Sequence, residues 1–217
     1  TYTVTVTDDE APVITCPELS ADNYSATTDE GANTYTHRDT DLDATARDND
    51  GIRSLTYALS GATTGTGSSL LNQVFNMGET TVTWTAVDSS GLTATCTYTV
   101  TVTDDENPVI SCPELSVDNY SVTTDDGENT YTHEGADWDA TASDNDEISS
   151  LTYELSGATT GSGSSLANQV FNMGETTVTW TVVDNSGHTA TCTYTVTVTD
   201  DEDPVISCPE LTADDYS

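Results

Sequence analysis

Lysine is absent from the 217 residues, and the basic complement is Arg38, Arg47 and Arg53 against 38 acidic side chains, a formal net charge of −35. A surface of that sign repels the phosphates of nucleic acids and the anionic face of a membrane, so neither is expected as a partner. No apolar run approaches the length of a membrane-spanning helix, and neither a signal peptide nor a lipidation motif is present, so this segment is not expected to insert directly into a membrane. HExxH, GxSxG and CxxC are all missing. Paired carboxylates occur everywhere, with nothing to make one pair special, so no residue is assigned to catalysis and the chain reads as a non-enzyme. The 3.6-residue apolar period of a helix is missing as well.

What the sequence does contain is repetition. The decapeptide TYTVTVTDDE at 1–10 returns letter for letter at 97–106 and 193–202, which sets a period of 96 residues. Residues 1–96 and 97–192 differ at 19 positions, leaving 77 identities. One period is large enough to bury its own core. The expected division is a last strand of a preceding repeat at 1–10, full repeats at 11–106 and 107–202, and the start of a third repeat at 203–217. A chain this acidic is often disordered, but Tyr2, Val4 and Val6 alternate with threonine, and Val82, Trp84 and Ala86 do the same. That two-residue period belongs to strands with one face buried and one wet. SSG at 89–91 then supplies a turn, so the last two strands of each repeat form a hairpin.

Further strands are expected at 12–16, 24–28, 34–37 running on through 42–46, 52–59 and 72–75, with a hairpin turn at Asp29-Glu30-Gly31 and a long surface loop at 61–69. Seven or so short strands per 96 residues point to tandem antiparallel β-sandwiches of the immunoglobulin-like kind, an all-β fold. The five cysteines stand at Cys16, Cys96, Cys112, Cys192 and Cys208, two per period. In such a sandwich the first and last strands run parallel and start at one pole, which pairs Cys16 with Cys96 and Cys112 with Cys192. Cys208 is left for a partner outside this segment. Structural disulfides place the chain in an oxidising compartment, secreted or at the cell surface.

The stretch VFNMGETTVTWTAVDSSGLTATCTYTVTVTDDENPVISCP at 74–113 resembles the hyalin repeat (HYR) module. It carries that family's G-x-TTV-x-[YW]-T-A-x-D-x-SG-x-TA-x-C run, then TVTV-x-D and PV/I-x-CP. Residues 23–31 and the later ATARDNDG resemble the family's earlier strands and turn. Many relatives carry a second cysteine pair where this chain has Asn33 and Asp50, so that second bridge is absent here. The resemblance implies an immunoglobulin-like sandwich from extracellular adhesive or structural proteins, and it brings no catalytic residue.

The acids gather at the repeat boundaries, as DDEAP, DDENP and DDEDP. Calcium takes six to eight oxygen ligands, and adjacent acids at a tight corner can supply several. The sandwich topology brings the Asp48-Asn49-Asp50 loop and the turn at Asp88 to the same pole as Asp8, Asp9 and Glu10. The next boundary matches Asp104, Asp105 and Glu106 with Asp144, Asp146 and Asp184. Calcium is therefore the expected cofactor, although one ion at each of three boundaries supplies only six positive charges against −35. A saline medium must screen the rest. Asp41 and Asp43, and likewise Asp137 and Asp139, read as exposed acidic faces. His37, His133 and His188 have no ligand spacing and read as surface histidines. Asn23 and Asn119 head N-glycosylation sequons, but the third copy reads Asp215-Tyr216-Ser217, so the repeat does not require a glycan.

The function expected from these features is structural: a stretch of an extracellular filament or adhesin stalk, whose partners are further copies of the same repeat in the same chain or alongside it. The alternative is a module that itself binds a ligand or glycan. For a filament, strand 1–7 is completed by a preceding repeat or by insertion into a neighbouring copy. Each repeat then advances the fibre by about 35 to 45 Å.

Overall fold

The computed structural model describes residues 1–19, 23–114 and 119–208, and among them there is strand but no helix. The chain divides into two compact units. One comprises Thr1–Pro108 together with Asp144–Glu147 and Asp184–His188, and the other Val109–Ser143, Ile148–Val183 and Thr189–Ser217.

The first unit is built on β1 (Val13–Thr15), β2 (Asn23–Thr27), β3 (Thr34–Thr36), β4 (Thr45–Arg47), β5 (Ile52–Gly61), β6 (Gly65–Gly67), β7 (Val74–Asn76), β8 (Gly78–Asp88) and β9 (Thr93–Thr103). Five strands form one sheet in the order β2-β9-β8-β5-β6, and the pairs β1-β4 and β3-β7 make up the rest of the sandwich. The hairpin of β8 and β9 follows the alternation closely. Val82, Trp84 and Ala86 are fully buried, as are Tyr98, Val100 and Val102 on the facing strand, while the threonines between them face outward. Full burial of each valine among them is worth about 1.5–3 kcal/mol. Trp84 stands opposite Cys96 in the register, beside the bridge.

Cys16 is joined to Cys96 with Cα atoms 5.8 Å apart, and Cys112 to Cys192 at 5.7 Å. The route differs from the one expected. The strand parallel to β9 is β2, with Asn23 opposite Thr99, whereas β1 lies antiparallel to β4 in another sheet. The bridge therefore crosses from the end of β1 to the interior of β9 and ties two sheets together.

Two more segments depart from their pattern. The strand expected to run from 34 through 46 is broken, because residues 39–43 turn on a Thr40 carbonyl bond to the Asp43 amide (3.0 Å), which drops Leu42 into the core. The glycine-rich stretch 61–69 is not wholly loop, since Gly65–Gly67 pairs with β5 and leaves room for the Tyr57 ring over Gly67. Among the described residues the decapeptide 1–10 joins no sheet: Tyr2, Val4 and Val6 are 90%, 75% and 91% exposed, whereas their identical counterparts Tyr98, Val100 and Val102 are buried in β9. A strand is a property of its partners as much as of its letters.

The second unit repeats the plan with β10 (Val109–Ser111), β11 (Asn119–Thr123), β12 (Thr130–His133), β13 (Thr141–Ser143), β14 (Ile148–Gly157), β15 (Gly161–Gly163), β16 (Gln169–Asn172), β17 (Gly174–Asp184) and β18 (Thr189–Thr199). Its five-stranded sheet runs β11-β18-β17-β14-β15. Trp138 takes the core place of Leu42 and stacks on Tyr120 and His133. The expectation of surface histidines fails for two of the three: His37 is 2% and His133 4% exposed. Each packs against aromatic rings and keeps a carboxylate contact, to Asp41 (3.0 Å) and Asp137 (3.3 Å) respectively, and His37 Nδ1 also meets the Tyr35 hydroxyl (3.3 Å). Tyr35 and Tyr131, two residues before the histidines, supply part of each enclosure, and Tyr24 reaches His37 from another strand.

Candidate metal centre

Among the described residues, two clusters place three ligand-bearing side chains within 4.8 Å of one another: Asp8 with Asp48 and Asp88, and Asp104 with Asp184 and His188. All six belong to the first compact unit.

In the first cluster each aspartate anchors a turn. Asp88, at the end of β8, is fully buried and accepts the Leu92 amide on Oδ1 at 2.8 Å, closing the β8–β9 turn. Asp48 accepts the Asp50 amide at 2.8 Å. Asp8 accepts the Glu10 amide and the Asn49 side-chain amide, both at 3.3 Å. The second oxygens of Asp8 and Asp88 are buried and have no hydrogen-bond partner. Carboxylates at this spacing repel one another when ionised. A cation among them removes that cost.

The second cluster has the same scaffold with one new member. Asp104 Oδ1 accepts from the Asn145 amide (2.9 Å), Thr28 (3.3 Å) and the Glu106 backbone (3.4 Å), while Oδ2 is buried without a hydrogen-bond partner. Burial acts to raise the Asp104 carboxyl, but those hydrogen bonds together with His188 outweigh it and hold the group below the ordinary carboxylate range. Asp184 Oδ1 accepts the amides of Gly187 (2.6 Å) and His188 (2.8 Å). The His188 ring then brings Nδ1 to 3.2 Å from Asp184 Oδ2 and 3.4 Å from Asp104 Oδ2.

The remaining acids singled out in the sequence stand elsewhere. Asp9, Glu10, Asp50 and Asp105 are exposed and belong to neither cluster. Glu106 instead accepts the Gly31 amide on both oxygens, at 2.8 and 3.1 Å, and Glu202 accepts the Gly127 amide on Oε1 at 2.6 Å, so these glutamates cap the early hairpin turns. Asp144 accepts the Asp146 amide (2.8 Å), and Asp146 accepts the Ser186 hydroxyl (2.7 Å). Asp43 and Asp139 cap the turns at Leu70 and Leu166, each at 2.7 Å. Asn23 is exposed on β2 and accepts the Thr99 hydroxyl, whereas the side chain of Asn119 lies outside the described residues. His188 was not among the expected ligands. Its one signal in the sequence is the exchange of SSGL at 89–92 for NSGH at 185–188, at the position whose amide binds the preceding aspartate.

The HYR domain model matches residues 7–102 and again 103–198. Hyalin of Strongylocentrotus purpuratus is 30% identical over 98% of this chain and 16% of its own length. Hyalin of Lytechinus variegatus is 31% identical over 62% of this chain and 24% of its own. The chain thus spans under a quarter of the length of either relative. Among solved structures, Drosophila N-cadherin EC1-4 aligns at 17% identity and a TM-score of 0.39 over 88% of this chain and 50% of its own. Domains 3-6 of protocadherin gamma B2 align at 16% and 0.41 over 90% and 52%. Two consecutive matches spanning residues 7 to 198 leave one conclusion about lineage: the chain belongs to the HYR domain family.

Proposed function

We propose that this chain is a structural segment of an extracellular filament or cell-surface stalk, in which each repeat is locked by one disulfide and the acids at the repeat ends hold calcium. The observation that carries the calcium reading is the pair of buried carboxylate oxygens on Asp8 and Asp88 that have no hydrogen-bond partner and lie with Asp48 inside one ion's reach. Three carboxylates can give calcium several of its six to eight oxygens, and water completes the shell. The two disulfides suit an oxidising exterior, and near-identical copies suit a spacer, which needs length more than distinct sites. Further copies of the same repeat are the partners this reading requires.

The test is calcium titration of the chain and its Asp88→Asn variant by calorimetry, followed by small-angle scattering with calcium and with chelator. Calcium should bind the parent chain, lose most of its affinity in the variant, and narrow the distribution of molecular lengths. Equal binding by both proteins, or a length distribution indifferent to chelation, overturns the reading.

A further inference from the structure

The two clusters occupy equivalent places in consecutive repeats, yet they offer different donors. Leu92 follows Asp88 where His188 follows Asp184, and both residues give their backbone amide to that aspartate at 2.8 Å. The turn is therefore the same, and the substitution adds an imidazole to a site otherwise built from carboxylates.

We infer that Asp104, Asp184 and His188 form a site for a borderline transition-metal ion of the zinc class, distinct in preference from the all-oxygen cluster of Asp8, Asp48 and Asp88. Imidazole and carboxylate are the donors such ions favour, whereas calcium favours oxygen alone. Asp104 supplies the second and independent pointer: its side chain is fully buried, and Oδ2 faces His188 Nδ1 at 3.4 Å with no hydrogen bond of its own. The other Asp104 oxygen is already held by Asn145, Thr28 and the Glu106 amide, so the carboxylate is oriented before any ion arrives. Such outer contacts are what fix metal-ligating groups in place. Asp184 is fixed in the same way by the amides of Gly187 and His188. The His188 side chain is 33% exposed, which leaves a route for the ion and a coordination position for water. Three protein ligands with an open fourth position is a common zinc arrangement. Binding releases the proton from Nδ1 wherever that nitrogen carries one, and the ion takes its place between the carboxylates. The inference does not depend on calcium at the first cluster, because it uses none of that cluster's residues.

The experiment uses the whole chain carrying Cys208→Ser, since the exposed Cys208 thiol is itself a zinc ligand. Zinc chloride is titrated in the presence of excess calcium, which occupies sites of oxygen alone, and the histidine nitrogens are followed by 15N NMR. One zinc ion per chain should be retained, with the His188 Nδ1 resonance displaced and those of His37 and His133 unmoved. His188→Leu restores the residue of the first repeat, so its folding is safeguarded, and it should weaken zinc binding by about tenfold or more. Asp88→Asn should leave zinc binding intact whether or not it abolishes calcium binding, which separates this inference from the calcium reading. Unmoved His188 nitrogens, or equal zinc affinity in the His188→Leu chain, overturn it.

Discussion

The imidazole of His133 lies flat against the indole of Trp138, with ring centroids 3.9 Å apart and planes 11° from parallel. Burial pushes the His133 pKa below its ordinary value, with Asp137 and Asp139 pulling the other way. The unfolded chain therefore takes up the proton first, at about pH 6.5, so the stability this ring contributes is present above that pH and fades as pH falls through it. Many carboxylates titrate in the same chain, so the measurement is a comparison. Thermal unfolding of the parent and of His133→Gln between pH 7.5 and 5 should show the parent losing its advantage as acid is added. Parallel curves count against the assignment.

Each disulfide closes 80 residues, and loop-closure entropy assigns about 4 to 5 kcal/mol to a bridge of that span. Cys112→Ala with Cys192→Ala should therefore lower the denaturation midpoint of the second repeat sharply and leave the first almost unchanged. Peptide mapping without reductant should recover Cys16 with Cys96 and Cys112 with Cys192. A fragment joining Cys96 to Cys112 contradicts the fold.

The strongest sequence signals were the strands that bury one whole face. Tyr98 and Val100 lie in a strand that alternates with threonine through all eleven residues, Val82 and Trp84 alternate with threonine on the facing strand, and the hairpin and its disulfide follow. Short strands were harder. Gly65–Gly67 has glycine where a strand former is expected, and its membership in the sheet is decided by the Tyr57 ring above it. Asp8, Asp48 and Asp88 could be placed at one pole from topology, because Asp48 and Asp88 stand at the ends of β4 and β8 and Asp8 follows the same TYTVTVT run that forms β9 in the next copy. Glu106 could not be told from Asp104 by sequence, since the two differ only in which backbone amides lie within reach. Part of the enclosure of His37 and His133 is local, since Tyr35 and Tyr131 stand two residues before them, but the Tyr24 ring against His37 comes from another strand and leaves no mark on the local spacing.

Gly61 stands at φ +102°, and a Cβ there would lie 2.5 Å from the Glu79 carbonyl oxygen. Gly31 also has positive φ, at +70°, but open space around it. Gly31→Ala should cost about 1–2 kcal/mol for the left-handed backbone alone. Gly61→Ala adds a clash with the neighbouring strand and should cost about 2 to 4 kcal/mol. Urea denaturation of the two variants checks the order, and equal midpoints contradict the close approach of β5 to β8.

Leu92 is half-buried in a turn whose backbone already matches that of His188, so Leu92→His asks only for a change of side chain. Its cost in stability should be within about 0.5 kcal/mol, as for most surface positions. If the turn is what aims the imidazole, the new ring meets Asp88 and Asp8 as His188 meets Asp184 and Asp104. Zinc stoichiometry in the Cys208→Ser background should then rise from one ion per chain to two, and combining Leu92→His with His188→Leu should return it to one. A folded Leu92→His chain that still takes up a single zinc would show that the Thr28 contact and the full burial of the Asp104 carboxylate, and not the turn, select the ion.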